Sequence, residues 1–158
     1  MTKSFNLIIF ILLLPLLAAS KSLVGTSATY QFKAGEFMGK TRIEIIAYDA
    51  NAKAYIQKTT TITKDGENVD VETVDESEIS SPSQNLEILS LCEDTLGGRL
   101  TRVSVIAGTF ESCIITESDE YSKESSTKSY FANVPFGMIK IKSREQIVEL
   151  VSFQETKN

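Results

Sequence analysis

Two cysteines, Cys92 and Cys113, and the Gly108 that lies between them restrict this chain more than any other feature. Suppose the stretch from Arg99 to Thr116 were one straight strand. At about 3.3 Å per residue, Leu100 and Cys113 would then lie roughly 43 Å apart. The eight residues from Cys92 to Leu100 return at most about 27 Å of that, which leaves a gap of about 16 Å. A disulfide needs its two Cα atoms within about 7 Å. A bonded pair therefore requires a sharp turn between Leu100 and Cys113, and Ala107-Gly108 is the place for it, because Gly tolerates positive φ. A plain meander fails as well. Were the segments of Cys92, Leu100 and Cys113 successive neighbours, the outer two would stand about 9.6 Å apart. Cys92 is expected to leave the sheet and cross its end or face, with Gly97-Gly98 making the return.

The pairing itself follows from compartment. The first twenty residues, "MTKSFNLIIFILLLPLLAAS", carry Lys3, an apolar run from Leu7 to Ala19 broken by Pro15, and small residues for cleavage. This is the pattern of a secretory signal, and the run is too short for a spanning helix, which needs roughly 20 residues. Residues 1–20 read as a signal peptide and 21–158 as a single disulfide-containing β domain. The destination is periplasmic or extracellular, with no stable membrane insertion after cleavage. In such a compartment two cysteines read as a disulfide, about 3 kcal/mol of stabilisation for a loop of this size. Two buried free thiols are the alternative.

Once the signal is removed, 15 basic residues face 21 acidic ones, a net charge of −6. That balance argues against nucleic acid and against electrostatic binding to anionic membranes. Alternation at period two dominates the rest. Thr41-Arg42-Ile43-Glu44-Ile45 places Ile43 and Ile45 on one face. The Thr-rich "AKAYIQKTTTITK" leads to Asp65-Gly66, and "NVDVETV" follows, which predicts a hairpin over 54–74 turning at Asp65-Gly66. Asp75 to Asn85 reads as a solvated connection, "LEILSLC" as a strand or short helix, and Glu117 to Ser129 as a polar loop. Val134 to Gly137 reads as a bend before the last strands. The fold class is all-β or mainly β: a curved antiparallel sheet, half-barrel or open barrel, with room for one short helix.

From Cys92 onward the chain resembles a group of bacterial exported proteins of uncharacterised function. The shared pattern is Cys92, Gly97-Gly98, Ala107 to Phe110, Cys113, Val134 to Gly137 and Glu149 to Phe153, over roughly the last 70 residues. By looser analogy such proteins are similar to the LolA/LolB-like half-barrel, an apolar-faced sheet some of whose members carry lipoprotein acyl chains. That resemblance implies a fold and leaves function to the site.

The residue types for catalysis are few. The chain has no His, which removes Ser-His and Cys-His pairs and imidazole zinc sites. Carboxylate groups such as Asp75/Glu76/Glu78 and Glu117/Asp119/Glu120 stand in hydrophilic runs, and no enzymatic activity, metal or cofactor is expected. Bulky apolar side chains are the remaining signal. Phe32, Phe37, Phe110, Phe131, Phe136 and Met138 are the candidate ligand-binding residues, each with core packing as its plainer role; Met38 and Tyr130 belong to the same wider set. The function these suggest is an exported binding module for a lipid, acyl chain or hydrophobic peptide on the concave face of the sheet. It predicts a cavity on the order of several hundred Å³. The alternative is a structural or protein-interaction domain of the cell envelope, contacting another protein through sheet edges or acidic loops.

Overall fold

A computed structural model describes residues 23–118 and 126–156 of the chain. The signal segment lies outside the described residues, as do Asp119 and Glu120 of the second carboxylate group. Alternating β-branched and polar residues form nine strands, β1 (Ser27–Ala34), β2 (Phe37–Asp49), β3 (Ala54–Thr63), β4 (Gly66–Asp75), β5 (Arg99–Val105), β6 (Gly108–Ser118), β7 (Ser126–Ala132), β8 (Met138–Lys142) and β9 (Gln146–Gln154). They make one curved, open antiparallel sheet in the order β4-β3-β2-β1-β9-β8-β7-β6-β5. The first and last strands thus pair at its centre, and two strands consecutive in sequence, β4 and β5, form its opposite edges.

Residues 76–98 must therefore cross from one edge to the other, and they do so over one face. After one turn of 3₁₀ helix (Glu76–Glu78), Ile79 packs against Ile45 and Tyr55 of β2 and β3. The segment read as solvated loop and undecided strand becomes helix α1 (Pro82–Ser90). Its start was written in the sequence as Ser81-Pro82-Ser83-Gln84. The Ser81 hydroxyl accepts the Gln84 N–H at 3.3 Å, the Gln84 side chain accepts the Ser81 N–H at 2.7 Å, and Pro82 fills the first turn. From α1 the buried Asn85 amide donates to the Val134 carbonyl at 2.8 Å, which fastens the helix to the bend before β8.

The crossing ends at the disulfide. Cys92 and Cys113 are bonded, their Cα atoms 5.6 Å apart and both side chains fully buried. The turn demanded above is present. β5 ends at Val105, its partner across the strand is Gly108, and Ile106 and Ala107 form a two-residue loop. Gly108 carries φ of +144°, a value that side-chain-bearing residues reach only with strain. The tip of this hairpin is tied down: the Ala107 N–H donates to the Leu150 carbonyl of β9 at 3.2 Å, and Phe110 meets Phe153 with ring centroids 6.1 Å apart. Gly98 has a different task. A Cβ there would lie 2.8 Å from both disulfide sulfurs and 3.0 Å from the Ile114 carbonyl, so the backbone can pass over the bond only without a side chain.

Two boundaries and the exposure of one strand face differ from expectation. The β3–β4 turn is Lys64-Asp65, with Gly66 already paired to Thr63. Of the expected polar loop, Glu117 and Ser118 belong to β6 and Ser126 to Ser129 to β7, because the β6–β7 ladder takes up their backbone groups and β8 adds its own at Lys128 and Ser129. Val69 and Val71 do share a face, but that face has no cover and both are about half exposed.

Gly98→Ala is expected to cost about 1–3 kcal/mol through overpacking against the sulfurs. In the Cys92→Ala/Cys113→Ala background, where the sulfurs are gone, the same change should cost much less. Denaturant unfolding of the four proteins in this cycle measures the coupling; additive effects would show that the bond and Gly98 do not press on each other.

Candidate functional site

Cross-strand partners share a face of a sheet, and side chains alternate along each strand, so the register assigns every residue to a side. Cys113 and Phe131 lie on the side crossed by residues 76–98, as do Ile141, Val148, Phe32 and Ile45. The opposite side is buried in its β6–β7 part, at Ser112 and Ala132, and is open toward β1, β2, β3 and β9. Across it runs one row of direct partners, Met38, Lys33, Ile147, Lys142 and Lys128, contributed by β2, β1, β9, β8 and β7 in turn. The neighbouring row is Ile62, Lys40, Gln31, Glu149, Lys140 and Tyr130.

Between the two rows, at the β1–β2–β3–β9 end, is an open groove of about 590 Å³. The side chains of this face that line it are the apolar Met38, Ile62 and Ile147 and, at the rim, Lys33, Lys40, Gln31 and Glu149. Met38 is 63% and Ile62 51% exposed, unusual for side chains of this kind in neighbouring strands. Phe32 itself is on the crossed side, behind this groove, where its ring packs over its direct partner Gly39; a Cβ there would sit 2.5 Å from the ring.

The charges of this face do not follow the composition. Lys33, Lys40, Lys128, Lys140 and Lys142 stand on it. Glu149 answers one of them, Lys140, at 3.7 Å, and Arg42 and Glu44 pair with each other at 3.6 Å. Lys128 and Lys142 are direct partners across adjacent strands, an arrangement that is destabilising unless an anion shares it. In a chain of formal charge −5, this is a local positive field that the net charge conceals.

A second groove, about 1010 Å³ and broader, opens where the crossing segment leaves the sheet. Tyr48, Tyr55, Lys53, Glu76 and Ser81 line it. The Tyr48 hydroxyl donates to the Glu76 carboxylate at 2.7 Å, and this bond is the main reason the Tyr48 pKa is pushed up to about 12. Asp75 at its edge accepts from the hydroxyl and then the N–H of Ser77, which hold its carboxyl below the usual range. A third space, beneath Leu23, Ile45, Ile79 and Phe136, amounts to about 20 Å³. That is room for about one water, so the crossing face is filled at this point. Among the described residues, no group of three or more Cys, Asp and Glu is placed to hold a metal, and no helix is long and apolar enough to cross a membrane.

The six aromatic and Met candidates are dispersed. Phe32 lies over Gly39 on the crossed side, behind the first groove, and Phe136 lines the small space and packs against both core clusters. Phe37 is exposed at the β1–β2 turn, Phe110 rests on Phe153, and Phe131 stands across from Cys113 and Met138. The Met138 carbonyl accepts the Tyr30 hydroxyl at 3.0 Å; burial of that phenol raises its pKa. Ile62, Ile147 and the lysines escaped the sequence reading, since each is unremarked in its own strand and gains meaning only from its neighbours.

No protein-family model and no curated protein matches the sequence, so the Cys92-to-Phe153 pattern has no family assigned to it. Solved structures do match. MucB in complex with MucA(peri) has a TM-score of 0.50 and 10% identity, over 89% of this chain and 53% of that one. MucB alone gives the same score and identity, over 89% and 56%. A candidate exported protein with YmcC-like fold from Bacteroides fragilis has a TM-score of 0.50 and 9% identity, over 84% and 96%. The chain spans about half the length of the MucB chains it matches. At these identities the likeness is one of fold.

The Asp75 carboxyl should titrate below its unperturbed value of about 3.9 in an NMR pH series, and Ser77→Ala should return it toward that value. Because the folded-state pKa is the lower one, its contribution to stability is present above about pH 3.9 and is lost as pH falls through the folded pKa. An unchanged Asp75 titration in Ser77→Ala would remove the hydroxyl as the cause.

Proposed function

We propose that the protein is an exported binding module of the cell envelope that holds an apolar ligand, a lipid or acyl chain, in the Met38/Ile62/Ile147 groove. The observation that carries this reading is the groove itself: about 590 Å³ of mainly apolar space on the open part of a sheet face. That volume falls within the range of small-molecule sites, and burying a chain there is worth about 0.8 kcal/mol per CH₂ without any polar motif. The lysines set the polarity of the ligand. An aliphatic chain lying along the groove places its end group near Lys33 and Lys142, where a carboxylate or phosphate relieves the repulsion between Lys142 and Lys128. Export is supported by the signal-like segment and the disulfide, and by a fold resembling a candidate exported protein and MucB, a protein solved in complex with MucA(peri).

Displacement of the uncharged dye N-phenyl-1-naphthylamine tests the reading. Fatty acids should compete, each added methylene tightening binding about three- to four-fold. The matching alcohol should bind more weakly than the acid, and only the acid should lose affinity with salt or in Lys33→Gln/Lys142→Gln. Ile62→Asp and Ile147→Asp change exposed positions and should fold normally but release both ligands. Absence of dye binding, or binding unmoved by these two variants, would sink the proposal.

A further inference from the structure

The far edge of the sheet carries a second feature, independent of the groove. β4 is a terminal strand, ten residues long, and its pairing with β3 runs from Ala54↔Asp75 to Thr63↔Gly66 without a bulge. Natural sheets guard such an edge with Pro, Lys, bulges or brevity. β4, "GENVDVETVD", has none of these, and every residue from Gly66 to Thr73 is exposed. Its outer row of backbone N–H and C=O groups is an open template for another strand.

What it carries instead is acid. Glu67, Asp70, Glu72 and Asp75 give the strand four carboxylates and no base. Glu72 accepts the Gln57 amide at 3.0 Å and Asp75 caps the 3₁₀ turn, while Glu67 and Asp70 form no ion pair among the described residues. The pleat sorts these groups. Asp70 and Glu72 project to one side, opposite Thr59 and Gln57, and Val69 and Val71 project to the other, opposite Thr60 and Lys58. A strand added at this edge meets carboxylates on one side and half-exposed valines on the other. Two β4 edges cannot pair with each other, since acid would face acid.

We propose that β4 is a docking edge for an extended segment of another protein in which Lys or Arg alternates with apolar residues, bound by strand addition. Backbone hydrogen bonds supply the ladder, the basic side chains meet Asp70 and Glu72, and the apolar ones cover Val69 and Val71. The other edge, β5, bears Arg99 and Arg102 and is the competing partner if a second copy were to bind. It offers seven residues against ten, and its end is curled onto β9 through Ala107 and Leu150.

A ten-residue acetylated peptide alternating Lys with Val is the probe, with two controls: Glu in place of Lys, and N-methylation of alternate amides, which keeps charge and removes ladder donors. The Lys peptide should bind and slow amide exchange within residues 66–75. Asp70→Asn/Glu72→Gln, two exposed changes, should weaken it about three- to ten-fold. Equal binding of the N-methylated peptide, protection elsewhere than β4, or no binding would overturn the inference. So would concentration-dependent protection of residues 66–75 without peptide, which would give the edge to a second copy.

Discussion

The sheet's two edges are neighbours in sequence, and this fact governs the remainder of the structure. Leaving β4, the chain has nowhere to go except across the whole sheet. It does so by a series of local attachments: Ile79 on Ile45 and Tyr55, Asn85 on the Val134 carbonyl, and finally Cys92 on Cys113. The disulfide is the last and the only covalent one, and it fixes where β5 may begin. With Gly98 lying on the sulfurs, Arg99 enters the sheet directly opposite Ile114. A side chain at residue 98 or a different sulfur partner would shift that register, and a one-residue shift turns every β5 side chain to the other face.

How much of this is legible in sequence depends on the range of the interaction that decides it. A turn between Leu100 and Cys113 followed from reach once the two cysteines are bonded, and Gly's tolerance of positive φ placed it at Gly108. The Lys64-Asp65 hairpin was readable to within one residue from local turn chemistry. The start of α1 was readable too, in Ser81 and Gln84, but strand-like alternation in "LEILSLC" competed with it. The groove was not readable. Lys33, Ile147, Lys142 and Lys128 belong to four strands, and the contact between Lys33 and Ile147 depends on β1 and β9 meeting at the centre of the sheet. Aromatic size singled out Phe110, Phe131 and Phe136, which the fold uses largely to pack; of the groove's exposed apolar groups Met38 stood only in the wider set, and Ile62 and Ile147 drew no notice.

Crossing one face has a consequence for the other. Because residues 76–98 lie over the side of Ile45, Val148 and Cys113, that side is closed by the protein's own chain, and its remaining space beside Phe136 is water-sized. The opposite side is open at its β1–β2–β3–β9 end, where Lys33 and Lys40 and the exposed Met38, Ile62 and Ile147 gather. A single asymmetry, the side on which the crossing runs, thus separates the part of the sheet that holds the fold together from the part available to a ligand.

Charge is distributed along the same division. Acid is concentrated on β4 and around the departing crossing at Asp75 and Glu76, while the centre of the open face is basic. Exposed like charges repel over roughly a Debye length, about 8 Å at physiological ionic strength, which is under two strand spacings. Lys40 of β2 and Glu67 of β4 are separated by Ile62 of β3, and the other lysines of the two rows stand farther from the edge, so each region keeps its own sign. An anionic amphiphile approaching the open face and a basic segment approaching the edge would each be repelled by the other's site. Two ligand classes of opposite charge could then occupy one small sheet without competing, and the unguarded edge would be held back from self-pairing by the acid that selects its partner.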